Sequence, residues 1–150
     1  MIVTSFSVRR AAGFLSLGAL LFIAAPEVEA YESPVGVWKT IDDDTGEAKS
    51  KVKIYEGSNG NLRGKIIHLY NNPDALCTEC DGDDYNTPIL GMTIMWGLES
   101  DGDEWNDGRI FDPKKGKTYN CRLWLEDNGD LKVRGSLGPF FRTQTWQRLD

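Results

Sequence analysis

Polar and apolar residues alternate along most of this chain, and turn-forming residues interrupt the alternation every 8–12 positions. Because successive side chains of a β-strand point to opposite faces of a sheet, this alternation indicates strands with one buried face. No segment has the 3.6-residue apolar stripe of an amphipathic helix. The sequence predicts an all-β chain with strands at 35–41, 50–56, 62–70, 90–99, 108–112, 117–126, 130–137 and 142–149.

The turns between these strands are short and rich in Gly, Asn and Asp, which tolerate the positive φ angles of tight hairpins. About eight sequential antiparallel strands are most simply built as a small up-and-down β-barrel, because closure removes exposed strand edges. A two-sheet sandwich is the alternative. An eight-strand barrel has an interior that side chains can fill or that can hold one small ligand, and the pattern leaves both outcomes open.

The alternation also predicts which side chains face the interior. On three strands the inward residues are Met92, Ile94, Trp96 and Leu98, then Tyr119, Cys121, Leu123 and Leu125, then Leu131, Val133, Gly135 and Leu137. Trp96 and Tyr119 are the aromatic residues of these inward sets.

An export signal precedes the strands. Arg9 and Arg10 supply positive charge, residues 11–25 form an uncharged apolar stretch, and residues 28–30 provide a small-residue cleavage site. The stretch is shorter than the ~20 residues that span a bilayer, and no second one follows. We therefore expect a cleavable signal peptide at 1–30 and one soluble β-barrel domain at 31–150, exported to the periplasm or secreted, with no membrane span in the mature chain.

The chain carries a formal net charge of −6 at pH 7, and its acidic residues cluster in turns. Nucleic-acid-binding proteins usually present a basic stripe, so we expect no nucleic-acid partner. The acidic turns at 42–44, 81–84 and 101–107 invite a calcium hypothesis. None fits a helix-flanked calcium loop, because Trp105 stands where the next ligand is required. We expect solvated turns, no metal ion and no cofactor.

The first and last strands carry a pattern typical of lipocalins. Gly36 and Trp38 lie on the first predicted strand, and residues 142–148 lie on the last. This arrangement resembles the lipocalin signature, in which a Gly-x-Trp packs beneath an arginine from the closing strand in a cation–π contact. The resemblance implies that Gly36, Trp38, Trp146 and Arg148 close the barrel.

A longer resemblance covers nearly all of residues 33–149. The matching motifs, in order, are Gly36-Val37-Trp38-Lys39-Thr40, Asp44-Thr45-Gly46, Leu62-Arg63-Gly64-Lys65-Ile66, Cys77 and Cys80 followed by Gly82, Pro88-Ile89-Leu90-Gly91-Met92, Asp112-Pro113, Gly116-Lys117 with Tyr119, Leu131-Lys132-Val133-Arg134-Gly135, and Arg142-Thr143-Gln144-Thr145-Trp146. Together they resemble the exported bacterial family known as domain of unknown function 2147. The resemblance implies an exported, barrel-like β domain and assigns no catalytic residue.

Cys77 and Cys80 form the motif closest to known chemistry, since Cys-x-x-Cys occurs in disulfides, redox enzymes and metal sites. Their acidic loop would raise a thiol pKa, which argues against a redox enzyme, and a structural zinc site needs four ligands. We favour a structural disulfide in an oxidising compartment, with thiol-redox and metal roles as alternatives. Cys121 is predicted to be a buried free thiol, and pairing with Cys77 or Cys80 is the alternative.

His68, the only histidine, shares the predicted parity of Ile66 on its strand. No serine lies in a Gly-x-Ser-x-Gly elbow, so a catalytic arrangement of a nucleophile, a histidine and an acid cannot be assembled around it. We expect a hydrogen-bonded or surface histidine, with ligand recognition as the alternative. We predict no catalytic residue.

Two functions of different classes remain. In the first, the barrel interior binds a small apolar or amphipathic ligand that contacts Trp96 and Tyr119, and an arginine, such as Arg134 or Arg142, pairs with its anionic group. In the second, the barrel is filled and the chain is a non-enzymatic envelope protein whose turn aromatics contact another protein. Those aromatics are Tyr85 and Trp105.

Overall fold

The computed structural model describes residues 33–150, together with the isolated Gly13. The predicted signal peptide lies outside the described residues, apart from that glycine. The strands are β1 (Gly36–Ile41), β2 (Ala48–Glu56), β3 (Leu62–Leu69), β4 (Thr93–Asp101), β5 (Glu104–Asp112), β6 (Lys117–Leu125), β7 (Leu131–Leu137) and β8 (Phe140–Arg148), with one 3-10 turn at Gly82–Asp84. No helix in the described part is long and apolar enough to cross a membrane.

The eight strands form one closed antiparallel barrel in which neighbours in sequence are paired and β8 returns to β1. The predicted all-β, up-and-down barrel is confirmed, and the sandwich alternative is excluded. Since consecutive strands run in opposite directions, the connections alternate between the two ends of the barrel. The β2–β3, β4–β5 and β6–β7 turns lie at what we call the closed end, and the other four connections lie at the open end.

Strand β5 begins earlier than the sequence pattern predicts. It starts at Glu104, so Trp105 lies on this strand and packs partly against the core, instead of lying in a turn. The register with β6 shifts between Trp105 and Gly108, and Asp107 has a φ of 59°. A bulge of this kind interrupts the alternation of a strand. The prediction of a turn aromatic at this position was therefore wrong.

A second irregularity changes which side chains of β4 point into the barrel. Ile94 and Met95 are buried in succession, which strict alternation does not allow. Gly97 has a φ of 72°, and the register with β3 is irregular along this strand. Trp96 is only half-buried and is not part of the buried core. The sequence pattern therefore placed Trp96 on the wrong face.

The solid core of the barrel is built from large apolar side chains carried by β1, β2, β4, β6, β7 and β8. Its fully buried members are Trp38, Val52, Ile54, Met95, Leu98, Leu123, Leu131 and Trp146. Burial of each such side chain contributes about 1.5–3 kcal/mol, so this cluster is the main source of the barrel's stability.

The closed end is sealed around Trp38, which has no exposed surface. Its indole Nε1 donates a hydrogen bond to Pro34 O at 2.8 Å, and the Arg148 guanidinium lies 4.3 Å from the ring centroid. Arg148 also donates to Val35 O at 3.1 Å and to Ser33 O at 2.6 Å. One side chain from the last strand therefore holds both the ring and the segment before β1.

Gly36 makes room for this arrangement. Its φ is 147°, and a Cβ atom at this position would lie 2.6 Å from Arg148 Nη1. Any other residue would displace the guanidinium, because real Cβ contacts are longer than this. The seam that Arg148 crosses is short, since only Trp38 with Arg148 and Lys39 with Gln147 pair between β1 and β8.

Candidate ligand-binding cavity

The open half of the barrel holds a cavity of about 610 Å³. Its apolar lining includes Ile66, Ile94, Ile110, Val133 and Trp146, which come from five strands. Residues of the β1–β2, β3–β4 and β5–β6 connections also line the cavity, as do Leu137 and Phe140 at the ends of β7 and β8. The interior is therefore solid in the closed half and hollow in the open half. Side chains do not fill the whole barrel, which was one of the two outcomes that the sequence pattern left open.

Small side chains keep the open half hollow. Gly135 lines the cavity, and a Cβ atom built on it would meet Tyr119 at 3.5 Å and Ile110 at 3.7 Å, both ordinary contact distances. Thr40 and Ser50 are also small lining residues. Larger side chains at these inward positions would project into the space that the cavity now occupies.

A buried pair of hydroxyl groups lies in the cavity wall. Thr40 Oγ1 and Ser50 Oγ are 2.7 Å apart, and the backbone N–H of Ser50 donates to Thr40 Oγ1 at 3.2 Å. Either hydroxyl can be the donor of the shared hydrogen bond. Since each hydroxyl has one proton and two lone pairs, the pair can offer a hydrogen bond to a ligand without losing its own.

Hydrogen bonds connect the interior of the cavity to its rim along β8. Trp146 Nε1 donates to Gln144 Oε1 at 3.0 Å, and Gln144 Nε2 donates to Asp43 Oδ2 at 2.6 Å. Arg142 Nη1 lies 3.3 Å from the same carboxylate oxygen, and its side chain is largely exposed. Exposed ion pairs contribute little to stability, so an incoming anion can compete with Asp43 for the guanidinium.

A second ion pair crosses the mouth of the barrel. Asp42 lies in the β1–β2 turn, where its Oδ1 accepts hydrogen bonds from the backbone N–H groups of Thr45 and Asp44, both at 3.0 Å. These two hydrogen bonds lower the pKa of the Asp42 carboxyl, and the bond from Thr45 has the larger effect. Lys114 Nζ from the β5–β6 turn lies 3.9 Å from Asp42 Oδ2. Because β1–β2 and β5–β6 are on opposite sides of an eight-strand barrel, this contact spans the opening.

The long β3–β4 connection forms one side of the mouth. Ala75 and Ile89 line the cavity and are joined by a hydrogen bond from Ile89 N to Ala75 O at 3.0 Å. Cys77 and Cys80 are disulfide-bonded within this connection, so the predicted disulfide is confirmed. A short crosslink of this kind stiffens the loop that frames the opening.

The β3–β4 connection also packs against the β5–β6 turn. Cys77 Sγ lies 3.7 Å from Pro113 O. Gly116 has a φ of 63°, and its Cα is so close to the Glu79 backbone that a Cβ atom would collide with Glu79 O. Only glycine combines this backbone conformation with this approach.

The four predicted ligand-contacting residues separate into two pairs. Tyr119 and Arg142 line the cavity, while Trp96 does not. Arg134 lies on the outer face, where its guanidinium stacks 4.6 Å from the Phe141 ring and its Nε donates to Thr143 Oγ1 at 2.8 Å. Trp96 does not line this cavity because of the irregularity in β4. Arg134 does not line it because this residue alternates with Val133 and Gly135, which face inward.

Four polar residues of the cavity were not predicted. Asp43 was assigned to a solvated turn, and the hydroxyl pair of Thr40 and Ser50 was not singled out. Gln144 belongs to a family motif, but no role was predicted for it. The sequence carried one usable signal, since Gln144 shares the parity of Arg142 on β8 and therefore faces the same side.

Other candidates from the sequence lie away from the cavity. His68 is exposed, because the register between β2 and β3 shifts after Ile66, and its ring packs edge-on against Tyr70 at 4.9 Å. Cys121 is a buried free thiol, and burial raises its pKa to about 12, which favours packing over reactivity. Residues 33–150 contain no group of three or more His, Cys, Asp or Glu side chains suited to hold a metal ion. Of the predicted turn aromatics, Tyr85 is exposed.

The closed barrel, the cavity at one end and the contact between an arginine and a tryptophan at the other define a lipocalin-like fold. Protein HP1028 from Helicobacter pylori, described as belonging to the lipocalin family, is similar in structure. The two chains superpose with a TM-score of 0.69 at 22% sequence identity, over 79% of this chain and 84% of that one.

The chain belongs to the family of uncharacterized proteins conserved in bacteria designated DUF2147, whose family model matches residues 36–148. The family resemblance drawn from the sequence is therefore confirmed. No curated protein matches the chain.

Proposed function

We propose that this barrel binds one small amphipathic molecule in its open half. The observation that carries the proposal is the cavity of about 610 Å³, which has an apolar interior and polar groups at its rim. Small-molecule sites typically measure about 300–1,000 Å³ and combine an apolar lining with a few convergent polar groups. The lipocalin-like fold supports the same class of function, although a fold by itself does not assign one.

The arrangement of side chains suggests how such a molecule would lie. Its apolar part packs against Ile66, Val133 and Trp146, where burial from water supplies most of the binding free energy at about 25 cal/mol per Å². Its anionic group lies at the rim and pairs with Arg142 in place of Asp43. A planar guanidinium can bind a carboxylate or a phosphate through two parallel hydrogen bonds.

We also propose that the chain works outside the cytoplasm after cleavage of residues 1–30. The charged, apolar and small-residue segments of the N-terminus support this proposal. The disulfide between Cys77 and Cys80 is consistent with it, since such bonds persist in oxidising compartments.

Native mass spectrometry of the protein purified from the exported fraction of its own host tests both proposals. The expected result is a chain that begins at Tyr31 and carries an adduct that disappears on denaturation. An unprocessed chain confined to the cytoplasm would contradict export. A ligand-free chain that also fails to bind any of a panel of fatty acids and phospholipids would contradict the binding function.

Filling the cavity provides a second test. Gly135→Leu places a side chain beyond Tyr119 and Ile110 into the cavity, without any positive φ to strain the backbone. We expect affinity for a dansylated fatty acid, measured by fluorescence titration, to fall by about tenfold or more, equivalent to about 1.4 kcal/mol. Ser136→Leu is the matched control, because Ser136 follows Gly135 on β7, points to the opposite face of the strand and does not line the cavity. Equal affinities for the two variants would place the probe outside the cavity.

A further inference from the structure

The β7–β8 hairpin ends in an unusually apolar tip. Leu137 is 54% exposed, Phe140 78% and Phe141 65%. Pro139 lies between them, and no charged residue occurs from 135 to 141. Exposed apolar side chains that stand together at the end of a hairpin indicate a surface that is covered in use.

Basic residues lie on one side of this tip, toward the β5–β6 hairpin, while the acidic β1–β2 turn lies on the other side. Arg142 follows it directly on β8, and the neighbouring β5–β6 hairpin contributes Lys114 and Lys115 from its turn and Lys117 from the start of β6. The β6 and β7 strands are adjacent, so the two hairpins are neighbours at the open end. Arg142 and Lys114 are paired with Asp43 and Asp42 of the β1–β2 turn, so Lys115 and Lys117, which are both exposed, carry the positive charge beside the tip that is not paired within residues 33–150. We call the set formed by Leu137, Phe140, Phe141, Lys114, Lys115, Lys117 and Arg142 the basic aromatic rim.

We infer that the basic aromatic rim docks the barrel onto an anionic lipid bilayer. Phenylalanine and leucine side chains partition into the boundary between headgroups and acyl chains, and lysine and arginine beside them are attracted to anionic headgroups. The chemistry of the rim provides both interactions on one side of the opening. Phe140 also lines the cavity, so a docked barrel turns its opening toward a source of amphipathic molecules.

The charges on the rim favour a bilayer over a second copy of the chain. A symmetric contact between two rims would bring Lys114, Lys115 and Lys117 of one copy toward the same residues of the other, and like charges repel. An anionic lipid surface is complementary to the same residues. Docking is a further property, separate from the proposed binding function, because it does not require an occupied cavity.

Vesicle flotation tests the inference with the full mature chain. The probes are vesicles of phosphatidylglycerol with phosphatidylethanolamine, and vesicles of phosphatidylcholine alone. We expect the protein to float with the anionic vesicles, and Phe140→Ser/Phe141→Ser to reduce the bound fraction by about tenfold. Val35→Ser/Leu149→Ser removes two partly exposed apolar side chains near the closed end and is expected to bind like the unmodified chain.

A charge-reversal pair tests the electrostatic part. Lys115→Glu/Lys117→Glu is expected to weaken flotation with anionic vesicles about tenfold, and added salt is expected to have a similar effect. The control is Lys53→Glu/Lys65→Glu, which reverses two paired lysines on the outer face of β2 and β3. Thermal unfolding confirms that each variant folds.

Three results would overturn the inference. The first is no flotation of the unmodified chain with anionic vesicles, and the second is equal flotation of the Phe140→Ser/Phe141→Ser variant. The third is concentration-dependent dimerisation that the same variant abolishes, which would make the rim an interface between copies. The Gly135→Leu variant separates the two proposals, because it blocks the cavity but is expected to float normally.

Discussion

Replacing Trp38 with alanine is expected to lower the free energy of unfolding by about 3–5 kcal/mol, the usual cost of removing a large buried aromatic side chain. Trp38 has no exposed surface, and its removal leaves a void at the closed end of the barrel. The variant also loses the hydrogen bond to Pro34 and the ring over which Arg148 lies. Because the β1–β8 seam is short, these losses fall where the barrel has the least backbone pairing.

Urea unfolding followed by circular dichroism measures this effect. The matched control is Trp124→Ala, which removes a half-buried tryptophan from the outer face, where Arg122 and Arg134 each lie 5.2 Å from its ring. We expect the control to cost about 1 kcal/mol, the size of exposed cation–π contacts. If the two variants lost the same stability, Trp38 would not be the residue that seals the barrel.

A double-mutant cycle separates the cation–π contact from the burial of the ring. Arg148→Met retains part of the aliphatic volume and removes the charge. The coupling free energy between Arg148→Met and Trp38→Ala is expected to be about 0.5–2 kcal/mol. The rest of the decrease in the free energy of unfolding of Trp38→Ala is then due to the lost apolar burial and the lost hydrogen bond to Pro34.

Substituting Gly116 with alanine is expected to detach the β3–β4 connection from the β5–β6 turn. An alanine at a φ of 63° costs about 1–2 kcal/mol because its Cβ crowds the backbone. Its Cβ would also collide with Glu79 O, a backbone atom that moves only if the β3–β4 connection moves. Such crowding costs a further 1–3 kcal/mol, roughly. The connection that frames the cavity is therefore expected to shift or loosen.

Gly46→Ala is the control for Gly116→Ala. Gly46 has a similar φ of 73°, but no atom lies within 4 Å of a Cβ built on it. It therefore incurs the backbone cost without the collision. Hydrogen exchange is expected to accelerate in residues 75–89 only in Gly116→Ala, together with weaker binding of the dansylated fatty acid. Equal exchange in both variants would mean that the contact with Glu79 does not hold the connection.

The errors in the sequence-based prediction have specific physical causes. Trp96 was assigned to the inward face because alternation was assumed to continue through β4, but the irregularity near Gly97 changes which side chains face the core. Trp105 was assigned to a turn because acidic residues surround it, although β5 runs through this segment with a bulge. The expectation of a surface histidine at position 68 was correct, and the register shift between β2 and β3 accounts for the exposure of His68.

The cavity was less predictable than the barrel. Tyr119 and Arg142 could be placed at it because alternation held on β6 and β8. The pairing of Asp43 with Gln144 joins a turn to a strand about a hundred positions away, and no local pattern reports such a contact. Whether the interior was hollow was also beyond a local pattern, because it depends on the combined volumes of side chains from all eight strands.

The sequence by itself determined the all-β class, the number and order of the strands, the closing contact of Trp38 with Arg148 and the pair of cysteines that form the disulfide. Each of these features is encoded by a local period, a turn or a short motif. Only the tertiary structure decided which half of the barrel is solid, that Arg134 lies outside, and that the tip of the β7–β8 hairpin stands exposed beside the lysines of the next turn. The physical reason is that these features depend on contacts between strands that are distant in the sequence. The face on which a side chain lies, the free volume of the interior and the grouping of surface charges all depend on such contacts, and one bulged residue is enough to change them.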